Sequence, residues 1–370
     1  MQKKIIALAI AAVISAPAFA DNTNFSFYGT ADVSNDFVTT GDGTAAANSA
    51  VAPIAGTTKR VVSSNTSKFG FKGSEDLGDG LAAIWQVEQQ VDIDNAANTF
   101  GNRNTFAGLK DGSYGTVLMG RHDTPYKIAV RKLDVFADGI ADNRALLGFK
   151  AASNYESRRT DVLAYISPAF SGVTVAAATV NLTETAVAGT TATNSAFSAA
   201  AMYDVAPFYG SLAYESHILS ASSTATILDA KESATRVGFG FKANGIELNA
   251  VYESTTDNLG PLNASLYGHT AYYVGGKYLI GADAVKLAYG NAGAYNAATA
   301  AAGANTGATQ VSIGYDHPLS KRTTVYALYT KIANGAGANY GFSQNTASAT
   351  SVNGFGGTPT AISLGLKHTF

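Results

Sequence analysis

The sequence predicts an all-β fold, a sixteen-stranded antiparallel transmembrane β-barrel with short turns at one rim and long loops at the other. Three observations carry this expectation. Apolar and polar residues alternate over many stretches of roughly ten residues, the period of a strand with one apolar face. The connections between these stretches are alternately short and long, as in an outer-membrane meander. Mean hydropathy is only +0.05, which fits apolar residues at every second position and not a bundle of long apolar helices.

The bulk numbers narrow the field further. A chain of 370 residues holds two ordinary domains or one large barrel. Its net charge of −2 lacks the basic signature of a nucleic-acid binder. Charged residues make up 14%, against roughly 25% in soluble domains. With no cysteine, a disulfide scaffold and thiolate chemistry are excluded.

At the N-terminus, Lys3 and Lys4 precede an apolar core from Ile5 to Ile14, then Ala18-Phe19-Ala20. This is the order of a secretory signal peptide, expected over 1–20. The core is shorter than the roughly 20 residues of a transmembrane anchor. Removal leaves 21–370 as the barrel domain.

The expected strands follow in order. Phe25–Val33 sets Phe25, Phe27, Ala31 and Val33 against Ser26, Tyr28, Thr30 and Asp32. A polar loop, 39–62, leads to Ser67–Ser74, where Phe69 and Phe71 alternate with Lys68 and Lys72. The Gly- and Asp-rich turn at 76–80 leads to Leu81, Ala83, Trp85 and Val87 on one face, with Gln86, Glu88 and Gln90 on the other. Arg103–Lys110 and Tyr114–Gly120 form the next pair, with less clean parity. Beyond 121–155 come Arg158–Ile166, Val173–Val180, Phe197–Val205, Tyr209–Ser216, Arg236–Lys242 and Ile246–Glu253. Tyr272–Ile280, Val285–Tyr289, Gln310–Asp316, Thr323–Lys331 and Ala361–Phe370 complete the set.

Charge placement favours lipid outside. A Lys or Arg facing the bilayer midplane costs about 2–4 kcal/mol, and Lys68, Lys72, Arg236 and Lys286 all fall on the polar parity. Tyr203, Tyr214, Tyr252, Tyr272, Tyr289 and Tyr329 gather near strand ends, where aromatic girdles belong. A secreted β-sandwich also alternates, but it needs neither girdles nor the long-short rhythm of connections.

Between Gly120 and Gly148, Asp134, Asp138 and Asp142 fall four residues apart. On a helical turn they would share one face. From spacing alone, a solvated surface helix is the plainer reading. Lys127 and Arg131, also four apart, could simply pair with neighbouring acids.

SKFGFKGSEDLGDGL (67–81), RNTFAGLKDGSYGTVLMGRHDTPY (103–126) and the final LGLKHTF (364–370) resemble the general bacterial porins of Gram-negative outer membranes, above all the branch of Neisseria and Burkholderia-like bacteria. The resemblance implies a homotrimeric, sixteen-stranded barrel whose third long loop, 121–155, folds into the lumen as a constriction. It implies a passive channel for ions and small hydrophilic solutes, with no cofactor or metal. By the same resemblance Lys68, Arg103 and Arg158, with Arg121 as a further member, form the basic side of the constriction, and Asp134, Asp138 and Asp142 the acidic side. Outer-membrane lipids and lipopolysaccharide would surround the barrel, and Phe370 would be read by the barrel assembly machinery. Two departures stand out: many relatives carry Arg where Lys68 stands, and Val135-Phe136-Ala137-Asp138-Gly139 replaces the Pro-Glu-Phe-Gly-Gly segment of enteric porins.

Two other classes compete. An outer-membrane enzyme needs a nucleophile with an adjacent base, whereas His122, His217, His269, His317 and His368 are scattered and none belongs to HExxH or GxSxG. An adhesin or structural barrel with a plugged lumen is the other, and the charged inward positions argue for water inside instead.

Overall fold

Strands dominate the computed structural model, which describes residues 23–49, 54–94, 100–148, 154–182, 194–219, 230–297, 303–343, 345, 347 and 354–370. The expected signal peptide lies outside the described residues. In chain order the strands are β1 (Thr23–Thr39), β2 (Thr58–Ser64), β3 (Lys68–Gly78), β4 (Leu81–Gln90), β5 (Thr105–Asp111), β6 (Gly115–His122), β7 (Arg159–Ile166), β8 (Val173–Asn181) and β9 (Ser195–Val205). They continue as β10 (Phe208–Ile218), β11 (Lys231–Ala243), β12 (Ile246–Asp257), β13 (Thr270–Ile280), β14 (Asp283–Ala292), β15 (Ala308–Pro318), β16 (Thr323–Asn334) and β17 (Thr360–Thr369).

Every pairing is antiparallel, and β17 closes the sheet on β1, from Thr30 opposite Thr369 to Thr39 opposite Thr360. The seventeen segments make sixteen staves. The second half of β1 pairs with β2, Val33 opposite Ser64, and its first half with β3, Thr30 opposite Lys68. Thus β2 and β3 are two parts of one stave, interrupted where Thr66 takes a φ of 59°. Here the structure corrects the sequence reading. The polar run 39–62 is not all loop: β1 continues to Thr39 and β2 begins at Thr58. Its Thr, Ser, Lys and Arg residues look like loop because an edge of the membrane band tolerates them.

Side-chain parity shows an inverted protein. Along β11, Glu232, Ala234, Arg236, Gly238 and Gly240 point inward and are buried, while Val237 and Phe239 are each 49% exposed. Leu248, Val274, Leu287, Val311 and Ile362 are exposed in the same way on their strands. An apolar exterior around a polar interior suits strands solvated by lipid. The tyrosines Tyr203, Tyr214, Tyr252, Tyr272, Tyr289 and Tyr329 all lie on the exposed face.

The inward polypeptide between β6 and β7 supplies the apolar core of the lumen. Helix α1 (Pro125–Arg131) starts with Pro in its first turn, where its missing N–H costs nothing. Val130, Leu133, Phe136, Ile140, Leu146 and Leu147 are buried beneath the loop, each worth about 1.5–3 kcal/mol. Leu133 and Phe136 fit because the wall carries glycine where they meet it. A Cβ on Gly238 would stand 2.6 Å from Leu133, and one on Gly314 would stand 2.7 Å from Phe136.

Candidate functional site

The loop crosses the lumen without filling it. Helix α1 packs on β8 to β11, and Phe136 lies over Gly314 of β15. The tip reaches the interrupted stave, where the Thr66 hydroxyl lies 3.5 Å from the Asp138 carbonyl. Between the loop and the wall of β3 and β4 remains a cavity of about 980 Å³. Lys68, Glu88, Arg103, Asp123, Lys127, Arg131, Asp138, Arg144 and Arg158 are among its lining residues.

On the wall side, Glu88 of β4 receives Arg103 Nε at 2.5 Å and lies 3.9 Å from Lys68 Nζ. The Tyr28 hydroxyl donates to the same carboxylate at 3.0 Å. Close by, Asp123 accepts from Arg158 Nη2 at 3.1 Å and pairs with Lys127 Nζ at 2.8 Å. Burial opposes the charge on Asp123, but Lys127 and Arg158 hold its carboxyl well below the usual range. Burial also lowers Lys127 and Arg158 from their ordinary values.

On the loop side, two arginines gather three aspartates. Arg131 Nη2 lies 2.5 Å from Asp142 and 3.2 Å from Asp138. Arg144 Nη2 lies 2.7 Å from Asp142 and 2.8 Å from Asp138. Asp142 also accepts the Arg144 backbone N–H at 2.9 Å, capping the short 3₁₀ turn Asn143–Ala145. Asp134 accepts from the Tyr273 hydroxyl of β13 at 3.0 Å and from the backbone N–H of Phe136 and Asn143 at 2.8 and 2.9 Å. Burial and the neighbouring Asp142 carboxylate push Asp134 up to about 6. Burial acts on Asp142 and Asp138 too, but Arg131 and Arg144 outweigh it and hold both below the ordinary value.

Both ends of the loop are tied to the same wall. Glu253 of β12 accepts from the Tyr126 hydroxyl at 2.7 Å and from the Gly148 N–H at 2.9 Å. Arg236 of β11 donates to Glu253 at 2.6 Å, pairs closely with Glu156 and lies 4.4 Å from the Tyr126 ring centre. All four side chains are almost wholly buried. Removing one partner of such a group leaves a buried charge unpaired, at a cost of about 3–5 kcal/mol.

Of the residues singled out from sequence, Lys68, Arg103, Arg158 and Asp138 line the cavity. Asp134 and Asp142 do not; their side chains are fully covered, whereas that of Asp138 is 31% exposed. Nor do the three share a helical face: the helix ends at Arg131, and Asp138 takes a φ of +70°. Arg121 donates to the Asn102 carbonyl at 3.0 Å and is absent from the cavity lining. Sequence reasoning missed Glu88, Asp123, Arg144 and Glu156. Strand parity already turned Glu88 inward beside Lys68, and an acid four residues before Lys127 pointed to Asp123.

A family model described as Gram-negative porin matches residues 7–337. The chain belongs to the Gram-negative porins. Among curated relatives, the major outer membrane protein P.IB of Neisseria meningitidis serogroup B / serotype 15 (strain H44/76) is 37% identical over 175 residues, 47% of each chain. That of Neisseria lactamica is 38% identical over 106 residues, 29% of this chain and 31% of the relative. The alignments therefore span at most about half the length of these relatives. An anion-selective porin from Comamonas acidovorans superimposes with a TM-score of 0.75 at 21% identity, covering 94% of this chain and all of that one. Salmonella typhi OmpF, solved with daunomycin, gives a TM-score of 0.64 at 17% identity, over 95% of this chain and 99% of its own. The porin is a multi-pass outer-membrane barrel, and these structural likenesses support its fold.

Proposed function

We propose that the porin is a passive diffusion channel for ions and small hydrophilic solutes, narrowed by the inward loop. The observation that carries this reading is the cavity of about 980 Å³, bordered by charge on both the wall and the loop. Rings of charged side chains set ion preference in narrow pores. Lys68, Arg103 and Arg158 form the basic wall, and Asp138 is the loop acid that meets the passing ion. Asp134 and Asp142 act behind it, shaping the loop, and Arg121 steadies the wall.

Among the described residues, seven basic and five acidic side chains line the cavity. Buried Asp134 and Asp142 stand behind Arg131 and Arg144, which leaves almost no net charge. Selectivity is accordingly weak, and polar, dipolar solutes are favoured over apolar ones. The barrel works as a homotrimer embedded among outer-membrane lipids and lipopolysaccharide. Residues 1–20 serve as its secretion signal, and Phe370 as its assembly signal.

Purified protein in a planar bilayer tests the reading. The expected result is stepwise, ohmic conductance with a small reversal potential in a salt gradient. A barrel that inserts without conducting is a plugged one, and overturns it.

A further inference from the structure

We infer that His217 is a positioning residue: its second ring proton holds the returning end of the inward loop against the barrel wall. The inference rests on the reading of that loop as the constriction and goes beyond it. His217, on β10, is fully buried. Its Nδ1 lies 2.7 Å from Glu232 Oε1 and its Nε2 lies 2.8 Å from Glu215 Oε1. A neutral imidazole carries one N–H, and the imidazolium carries two. Two carboxylate partners therefore require the imidazolium, or its equivalent with the extra proton shared to a carboxylate.

Four strands supply the groups around the ring. Glu215 comes from β10 itself, and Glu232 from β11, directly opposite His217. From β9 come Ala196 and Ser198, opposite His217 and Glu215, neither of them titratable. On β12, Asp257 stands opposite Glu232, its carboxylate already accepting the backbone N–H groups of Leu259, Leu266, Tyr267 and Gly268. Among the described residues, Glu215 Oε2 and Glu232 Oε2 have no hydrogen-bond partner. Both ring nitrogens thus face carboxylate oxygens.

The loop reads this proton through Tyr155. That ring stacks on His217 with centres 4.6 Å apart and planes 19° apart, and its centre lies 5.6 Å from that of Tyr126 of α1, tilted by 47°. Next to it, Glu156 is held by Arg236. A column of rings thus runs from the wall through the returning end of the loop to its helix. Loss of the proton sets one ring nitrogen's lone pair against a carboxylate, and the stack loses its seat. The constriction then loosens as pH rises.

Single-channel recording from about pH 5 to about pH 9.5 tests this, with hydrogen exchange of the 154–158 backbone, corrected for intrinsic rate, as a second readout. Wild type should be quiet at low pH and become noisy, with more frequent conductance steps, towards the alkaline end, while 154–158 loses protection. His217→Phe keeps a ring to stack but carries no proton, and should be noisy and poorly protected throughout, without pH dependence. Glu215→Gln offers an amide donor to the neutral ring and should remain quiet and protected at alkaline pH. A wild type whose noise and protection are flat across the range overturns the inference, as does a His217→Phe profile that tracks wild type. Absence of conductance in every variant defeats the pore reading instead, and the exchange data then decide the role of His217 alone.

Discussion

At the scale of residues, the three loop aspartates divide their labour by exposure. Asp138 meets the lumen; Asp134 and Asp142 do not. Asp138→Asn should lower the cation-to-anion permeability ratio by roughly two- to fivefold, because a unit charge about 8 Å from an ion is worth about 2 kcal/mol before screening. Reversal potential in a salt gradient reads this directly. Asp142→Asn removes the partner of two arginines and should alter conductance as well as selectivity. Their titrations run in opposite directions. Asp134 is raised to about 6, so its contribution to stability is complete below the unfolded value of 3.8 and lost as pH rises through about 6. Asp138 and Asp142 are lowered, so theirs is present above 3.8 and lost as pH falls towards their folded values. Between about pH 7 and pH 5 the loop should thus gain a proton on Asp134 without opening. The reversal potential moves towards anions over that interval, and Asp134→Asn abolishes the step. Charge spacing alone reads as a solvated helix face, which the structure does not form; the porin resemblance pointed to these aspartates but could not rank them. Which carboxylate faces water depends on Arg131 and Arg144, whose reach depends on a turn at Asp138 that local sequence leaves open.

At the scale of elements, the strands were legible and the loop path was not. Alternation placed most of the sixteen staves, because a period of two fixes which face meets lipid; at 103–110 and 114–120, where parity is less clean, the turn at 111–113 helped. Alternation failed at β2, where Thr58–Ser64 sets one valine, Val61 or Val62, among polar residues on each face, so nothing alternates, and the stave is broken at Thr66. The inward loop has no such period; its path is set by where the wall leaves room. Gly238 and Gly314 leave that room, which is why two residues that look like weak strand formers matter. Gly314→Val should press against Phe136, destabilise the loop by about 1–3 kcal/mol as overpacking does, and reduce single-channel conductance. Conductance, together with the temperature at which the barrel unfolds in gel electrophoresis, measures both effects.

At the scale of the whole molecule, stability comes from closure and from an exterior matched to lipid. Val274 sits mid-strand on β13 and is 53% exposed. Val274→Arg should cost about 2–4 kcal/mol in a bilayer, measured by denaturant-dependent folding into lipid vesicles. Its pore conductance should be unchanged, since the side chain never enters the lumen. The two ties at Glu253 and Arg236 bear on the molecule as a route for traffic. They draw both feet of the loop to one flank, and the charged cavity lies on the other side of the loop, against β3 and β4. A molecule with separated positive and negative ends has to turn to suit the charges on both sides of that gap as it slips through. Shape and dipole direction, more than bulk alone, then decide which cargo gets across.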